Sequence, residues 1–231
     1  SETGSGYWAH QYDTTFDWNS KYDSPAGPAY GYMGGGQSPS QSSSIDRIDY
    51  GNDTATAVLK GPLSQARTRN LGATGNTSHG YWGGGSSTGG SPVYSIVDRL
   101  DYSSDTTTAA VKGPLTSARY RLAATGNTSY GYFAGGDPGP VSSVDRIDYS
   151  NDTPTATAKG PLTSVRKHMA ATGTTSYGYF GGGEPATPAV TTVDRIDYSN
   201  DTPTASPKGP LSAKRNLFAA TGNASYGYFG G

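Results

Sequence analysis

Hydrophobic and polar residues alternate in short runs along this chain and never settle into a stripe of helical period. In Val144-Asp145-Arg146-Ile147-Asp148-Tyr149, Ile147 and Tyr149 share one face while Arg146 and Asp148 share the other, as in a half-buried strand. The run stops at Ser150-Asn151-Asp152-Thr153, whose short polar side chains favour a turn. A Thr/Ala segment from Thr155 to Lys159 follows, punctuated by Gly160-Pro161. Then come a small-residue strand, Ala170-Ala171-Thr172, and an aromatic one, Tyr177-Gly178-Tyr179-Phe180, closed by Gly181-Gly182-Gly183. Gly or Pro interrupts every stretch of helical length, so helix content is predicted to be near zero.

This four-strand unit repeats. We label its strands A (small), B (aromatic), C (Asp-Arg-Ile-Asp-Tyr) and D (Thr/Ala). The central B-strand tyrosines Tyr32, Tyr81, Tyr132, Tyr179 and Tyr228 are spaced 47–51 residues apart. The C-strand string carries Arg47, Arg99, Arg146 and Arg195. Each Lys-Gly-Pro-Leu string places an arginine six residues after its glycine, at Arg67, Arg119, Arg166 and Arg215. Repeat units run over about 30–78, 79–129, 130–176 and 177–225, with a final strand in 226–231.

A period near 50 residues with four strands per unit predicts an all-β, five-bladed β-propeller of four-stranded antiparallel blades. One sheet so poor in aliphatics cannot cover both faces, whereas stacked sheets let the aromatics of one fill the gap against the next. Residues 30–231 hold seventeen strands of the twenty that five blades require. The N-terminal segment 1–29, with Tyr7-Trp8, Tyr12-Asp13 and Phe16-Asp17-Trp18, is expected to complete the last blade. That closure is drawn in cis, which leaves no open sheet edge. The alternatives are a fragment of a larger ring and a strand-exchanged oligomer or fibre in which 1–29 pairs in trans.

The order Tyr179-Phe180-Gly181-Gly182, Val193-Asp194-Arg195-Ile196-Asp197-Tyr198, Pro210-Leu211 to Arg215 resembles the kelch repeat family over residues 30–231. The resemblance implies a propeller. It departs from the family where a fourth-strand Trp gives way to Thr and Ala. The wording of the repeats is also similar to repeat proteins of marine tailed phages, which implies a virion or cell-surface setting.

Composition narrows the function. Leu, Ile, Val and Phe total only 28 of 231 residues, but 18 Tyr and 3 Trp supply large buried areas instead. A net charge of −1 gives no footprint for nucleic acid, and no apolar run approaches the roughly 20 residues of a membrane span. With no cysteine, disulfides, thiol catalysis and thiolate metal sites are excluded. The chain starts at Ser1 without a signal peptide, so a processed chain or a fragment is expected.

Catalytic constellations are thin. His10, His79 and His168 lie in unrelated registers, with His79 expected to pack like the tyrosine it replaces and His168 assigned to an A strand. No nucleophile elbow, phosphate loop or zinc-binding string occurs. The pairs Asp46/Asp49, Asp98/Asp101, Asp145/Asp148 and Asp194/Asp197 recur in every unit, so salt bridges between blades with Arg47, Arg99, Arg146 and Arg195 are expected. The turns Gly51–Thr54, Ser150–Thr153 and Ser199–Thr202 suggest Ca²⁺ but lack its 6–8 oxygen ligands, so turn capping is the reading and no cofactor is expected. Asn52, Asn76, Asn127, Asn151, Asn200 and Asn223 sit in Asn-x-Ser/Thr sequons.

Variation concentrates in the B–C loops, Gln37–Ser44, Ser86–Ile96, Asp137–Ser143 and Glu184–Thr192. A rigid scaffold with one variable rim is how binding surfaces are built. Ser86, Thr88, Tyr94, Asp137, Glu184 and Thr187 are therefore the candidate ligand residues. The expected function is a non-enzymatic structural or adhesive module of a virion or cell surface, meeting protein or glycan partners. The alternatives are a glycan-binding lectin and a homo-oligomeric, fibre-forming subunit.

Overall fold

The short alternating runs do form short strands. The computed structural model describes residues 16–17, 30–37 and 39–231. The first sheet is β1 (Phe16–Asp17), β2 (Tyr30–Gly34), β3 (Ile45–Asp49) and β4 (Val58–Lys60). The second is β5 (Gly72–Gly75), β6 (His79–Gly83), β7 (Val97–Asp101) and β8 (Ala110–Lys112). The third is β9 (Ala123–Gly126), β10 (Tyr130–Ala134), β11 (Val144–Asp148) and β12 (Thr157–Lys159). The fourth is β13 (Ala170–Gly173), β14 (Tyr177–Gly181), β15 (Val193–Asp197) and β16 (Ser206–Lys208). A two-stranded sheet, β17 (Ala219–Gly222) and β18 (Gly227–Gly230), comes last.

All the strand pairs are antiparallel, and the sheets run A-B-C-D in chain order. The one described helical element is a single 3₁₀ turn, Tyr102–Ser104, capped by Asp101. Successive A strands lie against one another: β1 on β5, β5 on β9, β9 on β13 and β13 on β17. Their small residues permit this approach. The D strands form the opposite edge and are only three residues long, with Leu59 and Val111 largely exposed.

The core lies between sheets. Tyr32, Ile45 and Leu63 pack with Trp82, Leu100 and Ala109 of the next unit. Tyr81, Val97 and Leu115 meet Phe133, Ile147 and Tyr149, and Tyr132, Val144 and Leu162 meet Phe180, Ile196 and Tyr198. Each B-strand aromatic reaches over the end of the preceding B strand, where a Cβ on Gly83 would come within 2.7 Å of the Phe133 ring. Burial of these rings at about 25 cal/mol per Å² is what substitutes for the missing aliphatics.

Four four-stranded sheets and one pair are present, and the described sheets do not close into a ring. Phe16–Asp17 takes the A position of the first sheet, paired in cis with Tyr32 and Met33. The other aromatic pairs expected to form strands, Tyr7-Trp8 and Tyr12-Asp13, fall outside the described residues. His168 precedes β13 by two residues rather than lying in the strand, because its backbone turns left-handed there (φ 55°).

Candidate functional site

The repeated polar residues form two separate lattices. In the first, three of the Lys-Gly-Pro-Leu arginines, Arg67, Arg119 and Arg166, are buried inside the sheet that follows them. Arg67 meets Asp98 at 2.6 Å, Arg119 meets Asp145 at 2.8 Å and Arg166 meets Asp194 at 2.5 Å. Arg67 also donates to the carbonyls of Gly84 and Ile96, and Arg166 to those of Gly182 and Thr192. Burial lowers the pKa of all three guanidiniums, and the carboxylates oppose that shift. Thr116 and Thr163 donate N–H and hydroxyl to Asp145 and Asp194 from the segments leading into the arginines. Arg215 occupies the same position, but among the described residues it has no carboxylate and donates to the Phe229 carbonyl.

The second lattice joins neighbouring sheets. The strand register sets Tyr32 opposite Arg47, Tyr81 opposite Arg99 and Tyr132 opposite Arg146. Each pair then reaches one aspartate in the C–D turn of the next sheet. Tyr32 and Arg47 donate to Asp105 at 3.0 and 2.8 Å, Tyr81 and Arg99 to Asp152 at 2.9 and 2.7 Å, and Tyr132 and Arg146 to Asp201, both at 2.8 Å. Lys60, Lys112 and Lys159 complete the sets at 3.1–3.2 Å. Tyr102, Tyr149 and Tyr198 stack on the same tyrosines with centroids 4.5–4.7 Å apart. Burial, then the bond to aspartate, pushes the three phenols well above the ordinary tyrosine value. Burial works against ionising Asp152 and Asp201, but their donors prevail and both carboxyls sit below the usual value.

The inter-sheet bridges expected of Arg47, Arg99 and Arg146 therefore exist with different partners. Their acceptors are Asp105, which the sequence reading did not single out, and Asp152 and Asp201 of the turns read as capped, while Asp98, Asp145 and Asp194 serve the buried arginines. Asp101, Asp148 and Asp197 are the capping residues, each accepting from the serine two positions on. In the fourth sheet Tyr179 again stands opposite Arg195, whose guanidinium lies 4.2 Å above the Tyr177 ring.

One rim carries the side chains that differ from unit to unit. The B–C and D–A loops meet there through paired backbone bonds: Thr68 with Ser86, Tyr120 with Asp137 and Lys167 with Glu184. Ser86, Asp137 and Glu184 are thus equivalent positions, and Ser86 is fully buried. Thr88 and Thr187 are exposed. Thr88 receives Arg69 on its carbonyl at 3.1 Å. Tyr94 is half-buried, with its carbonyl accepting from the Arg119 amide.

Just before β5, β9, β13 and β17 the backbone turns left-handed, at Arg69, Arg121, His168 and Leu217, with φ of 54–64°. Such angles cost a non-glycine residue about 1–2 kcal/mol. Each turn aims an N–H at the loop before it: Arg121 to the Arg69 carbonyl, His168 to that of Arg121 and Leu217 to that of His168. The result is a hydrogen-bonded arc of D–A loops. Asp137 bridges Arg121 and Lys167 at 2.9 and 3.0 Å. Glu184 bridges His168 and Asn216 at 3.1 and 2.5 Å. Burial, then Arg121, lowers the pKa of His168 against the pull of Glu184. The guanidiniums of Arg69 and Arg121 lie over the Tyr120 ring, 5.9 and 5.1 Å from its centroid.

Arg69, Tyr120, Arg121, Lys167 and Asn216 were absent from the sequence expectation, although aligning the units shows them. The buried arginine is followed by Thr-Arg, Tyr-Arg, Lys-His and Asn-Leu, a variable step in a repeating segment. Among the described residues no group of three His, Asp or Glu side chains gathers as a metal site. No described helix is long and apolar enough to cross a membrane, which does not bear on β-barrels. No family model matches the chain, and no curated protein matches it.

Proposed function

We propose that the chain is a non-enzymatic, propeller-type module of a virion or cell surface that meets a glycan or protein partner through this rim. The observation that carries the reading is the half-buried Tyr120 ring with the Arg69 and Arg121 guanidiniums over it at the one edge where units differ. Guanidinium donors held against a ring suit the hydroxyls of a sugar or the carbonyls of a polar peptide loop. Asp137 and Glu184 are engaged by cations and amides, which supports a binding role over acid/base chemistry.

The five-bladed arrangement belongs to the same proposal. It is supported by the neighbour order of the A strands, each meeting the next from β1 to β17. The test is a glycan array and a surface-protein pull-down on wild type and Tyr120→Ala. Binding lost in the variant with an unchanged melting curve supports the reading. Equal binding by both, or hydrolysis of a polysaccharide by the purified protein, overturns it.

A further inference from the structure

The acceptors of the rim follow a repeat that one unit breaks. Gln37, Ser86, Asp137 and Glu184 each follow the glycines that close a B strand. Three of them turn an oxygen to the D–A loops. Asp137 Oδ2 takes Arg121 Nη1 and Lys167 Nζ at 2.9 and 3.0 Å. Glu184 takes His168 Nδ1 and Asn216 Nδ2 at 3.1 and 2.5 Å, and Gln37 Oε1 takes the Thr68 hydroxyl at 3.4 Å. Ser86 is too short to follow them: it is fully buried, and its hydroxyl donates to the Ser87 carbonyl. The donors that would meet an acid there are nevertheless in place. Arg69 holds the register of Arg121 and His168, and Tyr120 holds that of Lys167 and Asn216. At these positions the cations Arg69, Arg121 and Lys167 outnumber the acids Asp137 and Glu184. Of the five N–H donors of Arg69, one is placed among the described residues, Nη2 on the Thr88 carbonyl. Arg69 and Tyr120 are half-buried and Thr88 is exposed, so the place is open to solvent.

We infer that Arg69 and Tyr120 form a carboxylate subsite for an acidic sugar. The inference rests on the rim reading above and names the ligand class that the rim takes. The sugar carboxylate occupies the place that the Asp137 and Glu184 side chains fill in the next two units. Arg69 donates to it as Arg121 does to Asp137, and the Tyr120 hydroxyl adds the bond that Lys167 supplies there. Asp137 does not repel the ligand, because Arg121 and Lys167 offset its charge. The flanking Ser87-Thr88-Gly89-Gly90 turn carries hydroxyls and no large apolar side chain, which favours sugar hydroxyls over the side chains of a peptide.

The probe is a panel of uronic-acid and sialic-acid oligosaccharides, each beside its carboxyl-reduced form, titrated into the full chain at low salt. An acidic member is expected to bind about tenfold or more tighter than its reduced form, as loss of a charge-assisted bond implies. Arg69→Gln is expected to erase that preference and to leave the melting temperature nearly unchanged. Ser86→Asp supplies the acid from within the chain, as Asp137 does one unit later, and is expected to hold the melting temperature and abolish acidic-sugar binding. Should Ser86→Asp not fold, Arg69→Gln decides alone. No binding by any acidic member, or a preference that survives Arg69→Gln, overturns the inference. So does tighter binding of a polyglutamate peptide than of any acidic sugar, which would assign the cation to a protein partner. Sugars that bind equally in acidic and reduced form, and are lost in Tyr120→Ala, sink the subsite and leave the rim reading standing.

Discussion

Between the second and third sheets every polar group of the joint has its counterpart, whereas at the outer face of the fourth sheet half of the same joint stands alone. The residues are nearly identical in the two places, so the difference isolates what the neighbour contributes. Tyr81, Arg99 and Lys112 converge on Asp152, which is 6% exposed. Tyr179, Arg195 and Lys208 have no such carboxylate among the described residues. The strands form in both places, so local sequence builds the sheet and the neighbour's turn builds the joint.

The largest expected contrast is at the buried arginines. Arg119→Met removes the partner of Asp145, which is fully buried, and should cost about 3–5 kcal/mol in urea unfolding. Arg215→Met removes a half-buried group with no carboxylate among the described residues and should cost about 1 kcal/mol or less. Equal losses would show that the arginine's carbonyl contacts, rather than the ion pair, hold the position.

Glycine replacement comes next. Gly160→Ala drives a methyl group into the backbone at Pro203 and should cost about 1–3 kcal/mol by overpacking. Gly209→Ala meets nothing within 4 Å among the described residues and should be neutral or stabilise by about 0.4–1 kcal/mol through the unfolded chain. A matched pair of melting curves decides it. A destabilised Gly209→Ala would mean that the glycine is packed as tightly as Gly160.

Much of this was legible in the sequence, and the failures share one cause. Alternation within a unit gave strands and their order, since those depend on neighbours in sequence. The buried arginines repeat every 47–52 residues and announced a structural role, but their partners lie 26–31 residues away in a strand with two aspartates to choose from. Nothing in one unit says which aspartate turns inward. Asp152 and Asp201 were read as parts of capped turns, and Asp105 was not singled out, because their role depends on a tyrosine 69–73 residues distant, on the sheet before. Asp137 and Glu184 do sit where the B–C and D–A loops meet, but the D–A residues there were not singled out, since left-handed turns at Arg69, Arg121 and His168 carry no glycine signal.

Acid separates the two regions more gently. The Asp152 and Asp201 carboxyls are depressed in the fold, so the native state binds fewer protons than the unfolded chain. Their contribution is present above the unfolded value near about 3.9 and is lost as pH falls through the folded value. Unfolding free energy should therefore decline as pH falls below about 4. Asp201→Asn should lower stability at pH 7 and flatten that decline. Asp53 occupies the equivalent turn of the first sheet but is exposed and makes no ion pair among the described residues, so Asp53→Asn should leave stability at pH 7 unchanged.

The smallest effect tests whether the comparison has been drawn at the right level. Asp148 and Asp197 cap their turns in the same way, accepting from the Ser150 and Ser199 amides at 2.9 Å and from both hydroxyls at 2.6 Å. Those bonds lower both carboxyl pKa values, beside weaker opposing burial. The Asp148 turn is seated in a completed joint through Asp152, and the Asp197 turn through Asp201, so neither touches the open face of the fourth sheet. Asp148→Ala and Asp197→Ala should thus shift the melting temperature slightly and by the same amount. A larger shift at Asp197 would mean that the open face loosens the whole fourth sheet, turn included, and that sheet and joint do not form independently.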